Sequence, residues 1–154
     1  MRTGQPKRTA EGLTAYDEDV ILWAEEQARL LREGRFSELD IEHVADEIDD
    51  VGKSEKRELA SRVAVLMAHL LKWRIQPSGR TPSWRATIVD QRKRIALALK
   101  ATPSLKTVLR DRDWQEDMWL DARAQAPKET GLDDLPEACL WSLEQAVDPD
   151  FWPE

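Results

Sequence analysis

The sequence predicts an all-α fold: an up-and-down bundle of four main helices, with a long second helix and a docked C-terminal segment. Apolar residues recur at spacings of three and four along most of the chain. No stretch alternates apolar and polar residues for long enough to make a strand. Asp, Ser and Thr stand where those apolar runs begin, and Gly or Pro where they end.

The first helix is expected to begin at Asp17, an N-cap residue followed by Glu18 and Asp19 in a first turn that favours negative charge. Its apolar stripe is Tyr16, Val20, Trp23, Leu30 and Leu31. Gly34 suits the left-handed position after a helix, with Arg29, Arg32 and Arg35 around the last turn. The second helix starts at Asp40, and its stripe runs Ile41, Val44, Ile48, Val51, Gly52, Leu59, Val63, Leu66, Leu70 and Trp73. The rhythm holds straight through Gly52, so one helix is expected to about Gln76, ended by Pro77. Such a helix is roughly 54 Å long, and neighbours of about 17 to 20 residues would span only roughly 25–30 Å. A bend at Gly52 is the alternative, since glycine costs about 1 kcal/mol in a helix interior.

Pro77-Ser78-Gly79-Arg80 forms the next loop. Thr81 then caps a third helix with Pro82 in its first position, a stripe of Trp84, Ile88, Ile95, Ala98 and Leu99, and an end before Pro103. A fourth helix is expected from near Ser104, ended or kinked at Pro127, with Leu105, Val108, Leu109, Trp119 and Ala122 on its stripe. Beyond Gly131, a short helix after Ser142 and the residues Leu135, Leu140, Trp141, Leu143, Val147, Phe151 and Trp152 make a segment apolar enough to dock. The first residues are polar and glycine- and proline-containing, so a disordered tail is expected over 1–14 and a single helical domain over 15–154.

Composition narrows the function. The chain has 154 residues, of which 41% are hydrophobic and 34% charged, as expected for an ordered protein with a charged surface. Its single cysteine permits no internal disulfide, and two histidines with one cysteine cannot close an ordinary zinc site. The N-terminal basic residues are followed by no apolar run, and no stretch is long enough to span a bilayer. A cytoplasmic protein with no membrane partner is the expectation.

The net charge of −7 is unevenly spread. Residues 11–50 carry three basic and fourteen acidic groups, residues 72–100 carry eight basic and one, and residues 127–154 carry one basic and eight acidic. The simpler reading is acidic and basic helices lying side by side. The sharper one is a basic patch for an acidic or phosphate-bearing partner.

Placing residues at steps of about 100° puts polar groups inside the apolar stripes. Gln27 falls in the first, Glu55 in the second, Gln91 in the third, and Arg112, Glu116 and Arg123 in the fourth. Buried polar groups need partners, so Gln27, Glu55, Gln91, Arg112 and Glu116 form a candidate polar layer, either setting helix register or lining a ligand site. Dinuclear carboxylate bundles use Glu-x-x-His, which is missing here, and Asp40, His43 and Glu47 read as a solvated acidic face rather than a metal site. No metal, no cofactor and no catalytic residue is therefore assigned. Cys139 reads as a small buried apolar group.

The segment from His69 to Arg94 is the second candidate. Lys72 and Arg74 approach one helix end, Arg80 and Arg85 flank the next helix start, and Arg92 follows. With Trp73 and Trp84 among them, His69, Lys72, Arg74, Arg80, Arg85 and Arg92 are a candidate surface for an anion or a partner. The competing reading makes both tryptophans core and pairs the cations with the acidic first helix.

The same residues carry a resemblance. Tyr16-Asp17, Trp23, Gln27, Gly34-Arg35-Phe36, Leu39-Asp40, Gly52-Lys53-Ser54-Glu55-Lys56-Arg57-Glu58-Leu59, His69-Leu70-Leu71-Lys72-Trp73, Gln76-Pro77, Ser83-Trp84-Arg85, Gln91-Arg92 and Asp148-Pro149-Asp150-Phe151 form an ordered set over residues 16 to 154. In it the chain resembles domain of unknown function family 29. The resemblance implies a bacterial, all-helical, cytoplasmic protein and supplies no activity. His43 and Pro127 depart from the family's pattern. The expectation is a non-catalytic interaction module, using the Lys72–Arg85 hairpin or the overhanging long helix to meet a protein partner, with a homodimer as one form. The alternatives are a small-ligand binder or enzyme built on the polar layer, and nucleic-acid or phosphate binding through the basic hairpin, which the charge of −7 disfavours.

Overall fold

The computed structural model describes residues 12–130 and 135–154, apart from the side chains of 128–130. Most of the expected tail therefore lies outside the described residues, as does part of the stretch after Gly131. The described residues are helical and contain no strand. The chain divides into two compact units, Met1–Lys53 and Ser54–Glu154.

In the first unit, helix α1 spans Val20–Arg32 and starts two residues later than expected. Residues 15–18 form a turn closed by Glu18 N–H on Ala15 C=O, and Asp19, extended at φ −153°, is the cap. Its carboxylate accepts the N–H groups of Ile21 and Leu22. The helix ends as expected at Gly34, with φ +70°, where the Arg35 N–H reaches Leu30 C=O and the Gly34 N–H reaches Leu31 C=O. A short 3₁₀ turn, Phe36–Glu38, leads to helix α2, Ile41–Ile75.

Residues 41–53 of α2 run antiparallel to α1. Tyr16 lies against His43 and Glu47, whereas Trp23 and Gln27 lie against Asp40, so rising positions on one strand of the hairpin meet falling positions on the other. Trp23, Glu26, Gln27 and Leu30 are the buried line of α1. Thr14 is also held, because its N–H and its hydroxyl both donate to Glu26.

The helix passes Gly52 without a break and stops just before Pro77, as its rhythm predicts. In the second unit, Leu59, Val63, Leu66, Met67, Leu70 and Leu71 of α2 build the core. They pack with Ile88 and Ile95 of α3 (Pro82–Ala101), Leu105 of α4 (Leu105–Arg110), and Met118, Trp119 and Ala122 of α5 (Arg112–Thr130). Trp141, with Leu143 and Ala146 of α6 (Leu143–Val147), completes it, so the C-terminal segment is docked. Thr81 caps α3 through its hydroxyl, and Ser142 caps α6 in a reciprocal box with Gln145.

One expectation fails here, and of another the first alternative does. The fourth helix is two helices, broken at Asp111, whose extended backbone at ψ 120° lets its carboxylate cap α5 through the Trp114 N–H. Pro127 does not end α5, which continues to Thr130; so near the last turn, a missing N–H removes a single helical bond.

The turn between α2 and α3 is closed over an aromatic ring. A Cβ on Gly79 would stand 2.6 Å from the Trp84 ring. Gly79→Ala is expected to displace that ring and cost about 1–3 kcal/mol, the usual scale of overpacking, read as a lowered denaturation midpoint by tryptophan fluorescence.

Candidate functional site

The candidate polar layer does not assemble. Gln27 is buried, but its Oε1 is used locally, accepting the Asp40 N–H at the start of α2 at 2.8 Å. Glu55 is exposed, one turn before Leu59, where burial on α2 begins. Arg112 and Glu116 are 89% and 67% exposed and lie 3.8 Å apart on the surface of α5. The break at Asp111 resets the helical phase, so angles counted from Ser104 do not carry over to them. Only Gln91 and Arg123 sit part-buried, and Gln91 Oε1 and Arg123 Nε are buried without a hydrogen-bond partner among the described residues.

Of the candidate cationic surface, Lys72 and Arg92 are buried, His69 is half-buried, and Arg74, Arg80 and Arg85 are exposed. Arg92 is buried, and its guanidinium donates to three carbonyls: Ala146 at 2.8 Å, Phe151 at 2.6 Å and Pro149 at 3.5 Å. Burial pushes the Arg92 pKa down from its ordinary value, and Asp148 partly offsets this. Arg85 and Arg92 both lie against the Trp152 ring, at 4.6 and 5.2 Å. Arg80 donates to Trp73 C=O at 2.7 Å and to Pro153 C=O at 3.5 Å, and lies over the Trp73 ring.

Lys72 is buried, with Nζ 3.4 Å from His69 Nε2 and 4.9 Å from the centre of the Trp84 ring. His69 Nδ1 is 2.9 Å from Val65 C=O, which can only accept. The proton therefore sits on Nδ1, and the Nε2 lone pair faces the ammonium. Arg74 shows no such contact among the described residues. The arginines grip backbone carbonyls and indole faces of the C-terminal segment.

A cleft of about 510 Å³ opens between α5 and the stretch before α6. Trp119, Trp141 and Met67 line its floor, with Arg112 and Glu116 also among its walls. Both indoles are satisfied, Trp119 by the Pro136 and Glu137 carbonyls and Trp141 by the Met67 sulfur. Cys139, expected inside, is exposed as a residue; its thiol donates to Trp141 C=O, and burial of the sulfur pushes its pKa up.

In the first unit, the acidic face noted around Asp40 is a hydrogen-bonded cluster. Asp40 accepts from Trp23 Nε1 at 3.0 Å and lies 2.7 Å from His43 Nδ1. Tyr16 stacks on His43 and donates its hydroxyl to Glu47 at 2.6 Å. That hydrogen bond, with the charge of Glu47, pushes the Tyr16 phenol above its ordinary value. Beside this cluster the hairpin exposes apolar side chains. Ile41, Ile48 and Val51 are each 67% exposed and Ile21 is 71% exposed, with Val20 and Leu31 also open. The signal was present in the sequence as a stripe on residues 41–51 with nothing assigned to cover it.

Burial alone would raise the Asp40 carboxyl, but the bonds from His43 and Trp23 outweigh it and hold it below the ordinary aspartate value. Ionised Asp40 thus stabilises the first unit above about pH 4, and that stability is lost as pH falls through the lower folded value. The Trp23 indole proton should keep its hydrogen-bonded NMR shift at about pH 5 and lose it in acid, and Asp40→Ala should abolish it at every pH. In the second unit, Arg92→Met leaves three carbonyls without their donor. It should cost about 3 kcal/mol and release residues 146–153 to hydrogen exchange, with Arg92→Lys recovering little because it lacks the planar fork.

The family model described as "Domain of unknown function DUF29" matches residues 15–152, nearly the whole chain. No curated protein and no solved structure shows significant similarity to it.

Proposed function

The chain belongs to the DUF29 family, and we propose that it works as a non-catalytic interaction module whose docking face is the N-terminal helical hairpin. The observation that carries this reading is the apolar side of that hairpin, where Ile41, Ile48 and Val51 stand 67% exposed, Val20 49% and Leu31 43%. Isolated exposed apolar residues are ordinary, but a contiguous group on two adjacent helices marks a place where something binds. The acidic character of residues 11–50 directs the choice of partner. It repels nucleic-acid phosphates and anionic lipid headgroups alike, which leaves protein. No described helix is long and apolar enough to cross a membrane.

The cleft under Trp119 and Trp141 supports a second reading, a small-ligand site, since its volume lies in the range of such pockets.

Photo-reactive residues placed at Ile48 and at Leu120, beside the cleft, and irradiated in the native cell separate the surfaces. The expected result is a discrete protein adduct from Ile48 and none from Leu120. Adducts from Leu120 alone, or from neither position, overturn the hairpin reading.

A further inference from the structure

From the shape and charge of the hairpin face we infer that its partner is a second copy of the chain, joined to it by a twofold axis in a four-helix bundle. This inference rests on the reading of the hairpin as the docking face.

The argument begins with direction around each helix. At about 100° per residue, Ile41, Ala45, Ile48 and Val51 fall within one third of the circumference of α2. That arc lies about a quarter turn from the line of Asp40, His43 and Glu47, which faces Tyr16 and Trp23. On α1, Val20, Ala24, Ala28 and Leu31 form a stripe about a quarter turn from the buried line of Trp23, Gln27 and Leu30. Both displacements have the same sense along the chain. The two helices are antiparallel, so the two stripes come out on the same side of the hairpin, as one face.

That face has the signature of a helix-to-helix seam. Ile41, Val44, Ile48 and Val51 follow the three-four-three spacing of a heptad repeat, with β-branched residues throughout. The alanines on α1 lower the surface between them, so a facing helix can approach closely. Two such faces brought together supply four helices with an apolar interior. Ile41, Ile48 and Val51 are each 67% exposed, with Val20 at 49% and Leu31 at 43%, so each hairpin brings apolar side chains from both helices to the seam.

Charge decides whether two acidic hairpins can meet. Asp46 and Asp50 fall on the opposite side of α2 from Ile41 and Ile48, with Glu42 and Asp49 on the flank, by the same angular count. A twofold pairing through the apolar faces turns Asp46 and Asp50 outward, away from those of the partner copy. The interface is self-complementary and closes on itself, so it yields a dimer rather than a chain of molecules.

Sedimentation velocity on the full chain tests this. Wild type is expected at twice the 17.7 kDa chain mass. Ile41→Glu/Ile48→Glu should raise the dissociation constant at least about a hundredfold, because a carboxylate would be buried without a partner, while far-UV circular dichroism keeps its helical signal. Asp46→Lys, on the reverse face, should leave the mass doubled. Loss of the dimer in the double variant together with loss of helix is resolved by Ile48→Ala, which keeps the helix and should still weaken the dimer. A wild-type monomer at about 100 μM, well above the dissociation constants of specific complexes, overturns the inference. So does a dimer indifferent to Ile41 and Ile48. If the Ile48 photo-adduct then carries a different protein, the docking face stands and only its occupant changes; if Ile48 gives no adduct either, both fall.

Discussion

An apolar stripe commits a helix to a neighbour along its length, and α2 carries its stripe for most of 35 residues. From Leu59 onward the commitment is met within the second unit, where Val63, Leu66, Leu70 and Leu71 are fully enclosed. Over residues 41–51 it is met only on one side. There the helix turns Asp40, His43 and Glu47 toward Tyr16 and Trp23, and the contact is made by hydrogen bonds and ring stacking. The polar side of the helix is thus spent on holding the hairpin together, which leaves its apolar side for use. This inverts the usual economy of a two-helix unit, in which apolar residues face inward and polar ones face water.

The basic middle of the chain is explained by a different demand. Residues 146–153 form no long helix and leave carbonyls that need donors at the edge of the core. Arg92 meets that need with one planar group, and Trp152 gives its guanidinium, with that of Arg85, an aromatic face in place of water. The segments that carry the family resemblance converge here. His69 and Lys72 lie on α2, Trp84, Arg85 and Arg92 on α3, and Phe151 in the C-terminal segment. Arg85 and Arg92 hold the C-terminal segment, and Lys72 lies beside them on α2 between His69 and the Trp84 ring.

What could be read from the sequence was what the chain decides locally. Gly34, Thr81 with Pro82, and Ser142 end or begin helices through bonds to residues at most four positions away, and each does so where expected. The fold class follows from the same local rhythm. Arg112 and Glu116 were misplaced because a helical wheel carries its phase forward, and Asp111 interrupts it with a cap that competes with continuation. Asp17 lost its capping role to Asp19 for a similar reason, since a turn from Ala15 uses up the residues between. Arg92 was legible as a basic residue but not as a clasp. Its partners are backbone carbonyls more than fifty positions away, and a carbonyl leaves no mark in a sequence.

The distribution of charge then takes on a physical meaning that the net value hides. A hairpin of residues 11–50 with fourteen carboxylates repels its own kind wherever those carboxylates meet. On α2 they are gathered on one side, so repulsion forbids most encounters between copies and spares the one that brings apolar face to apolar face. The acidic back therefore selects an orientation, and it does so without a charged residue in the seam itself. An apolar patch of this size on a neutral hairpin would invite association in many registers. Set against an acidic back, the same patch admits a partner from a single direction.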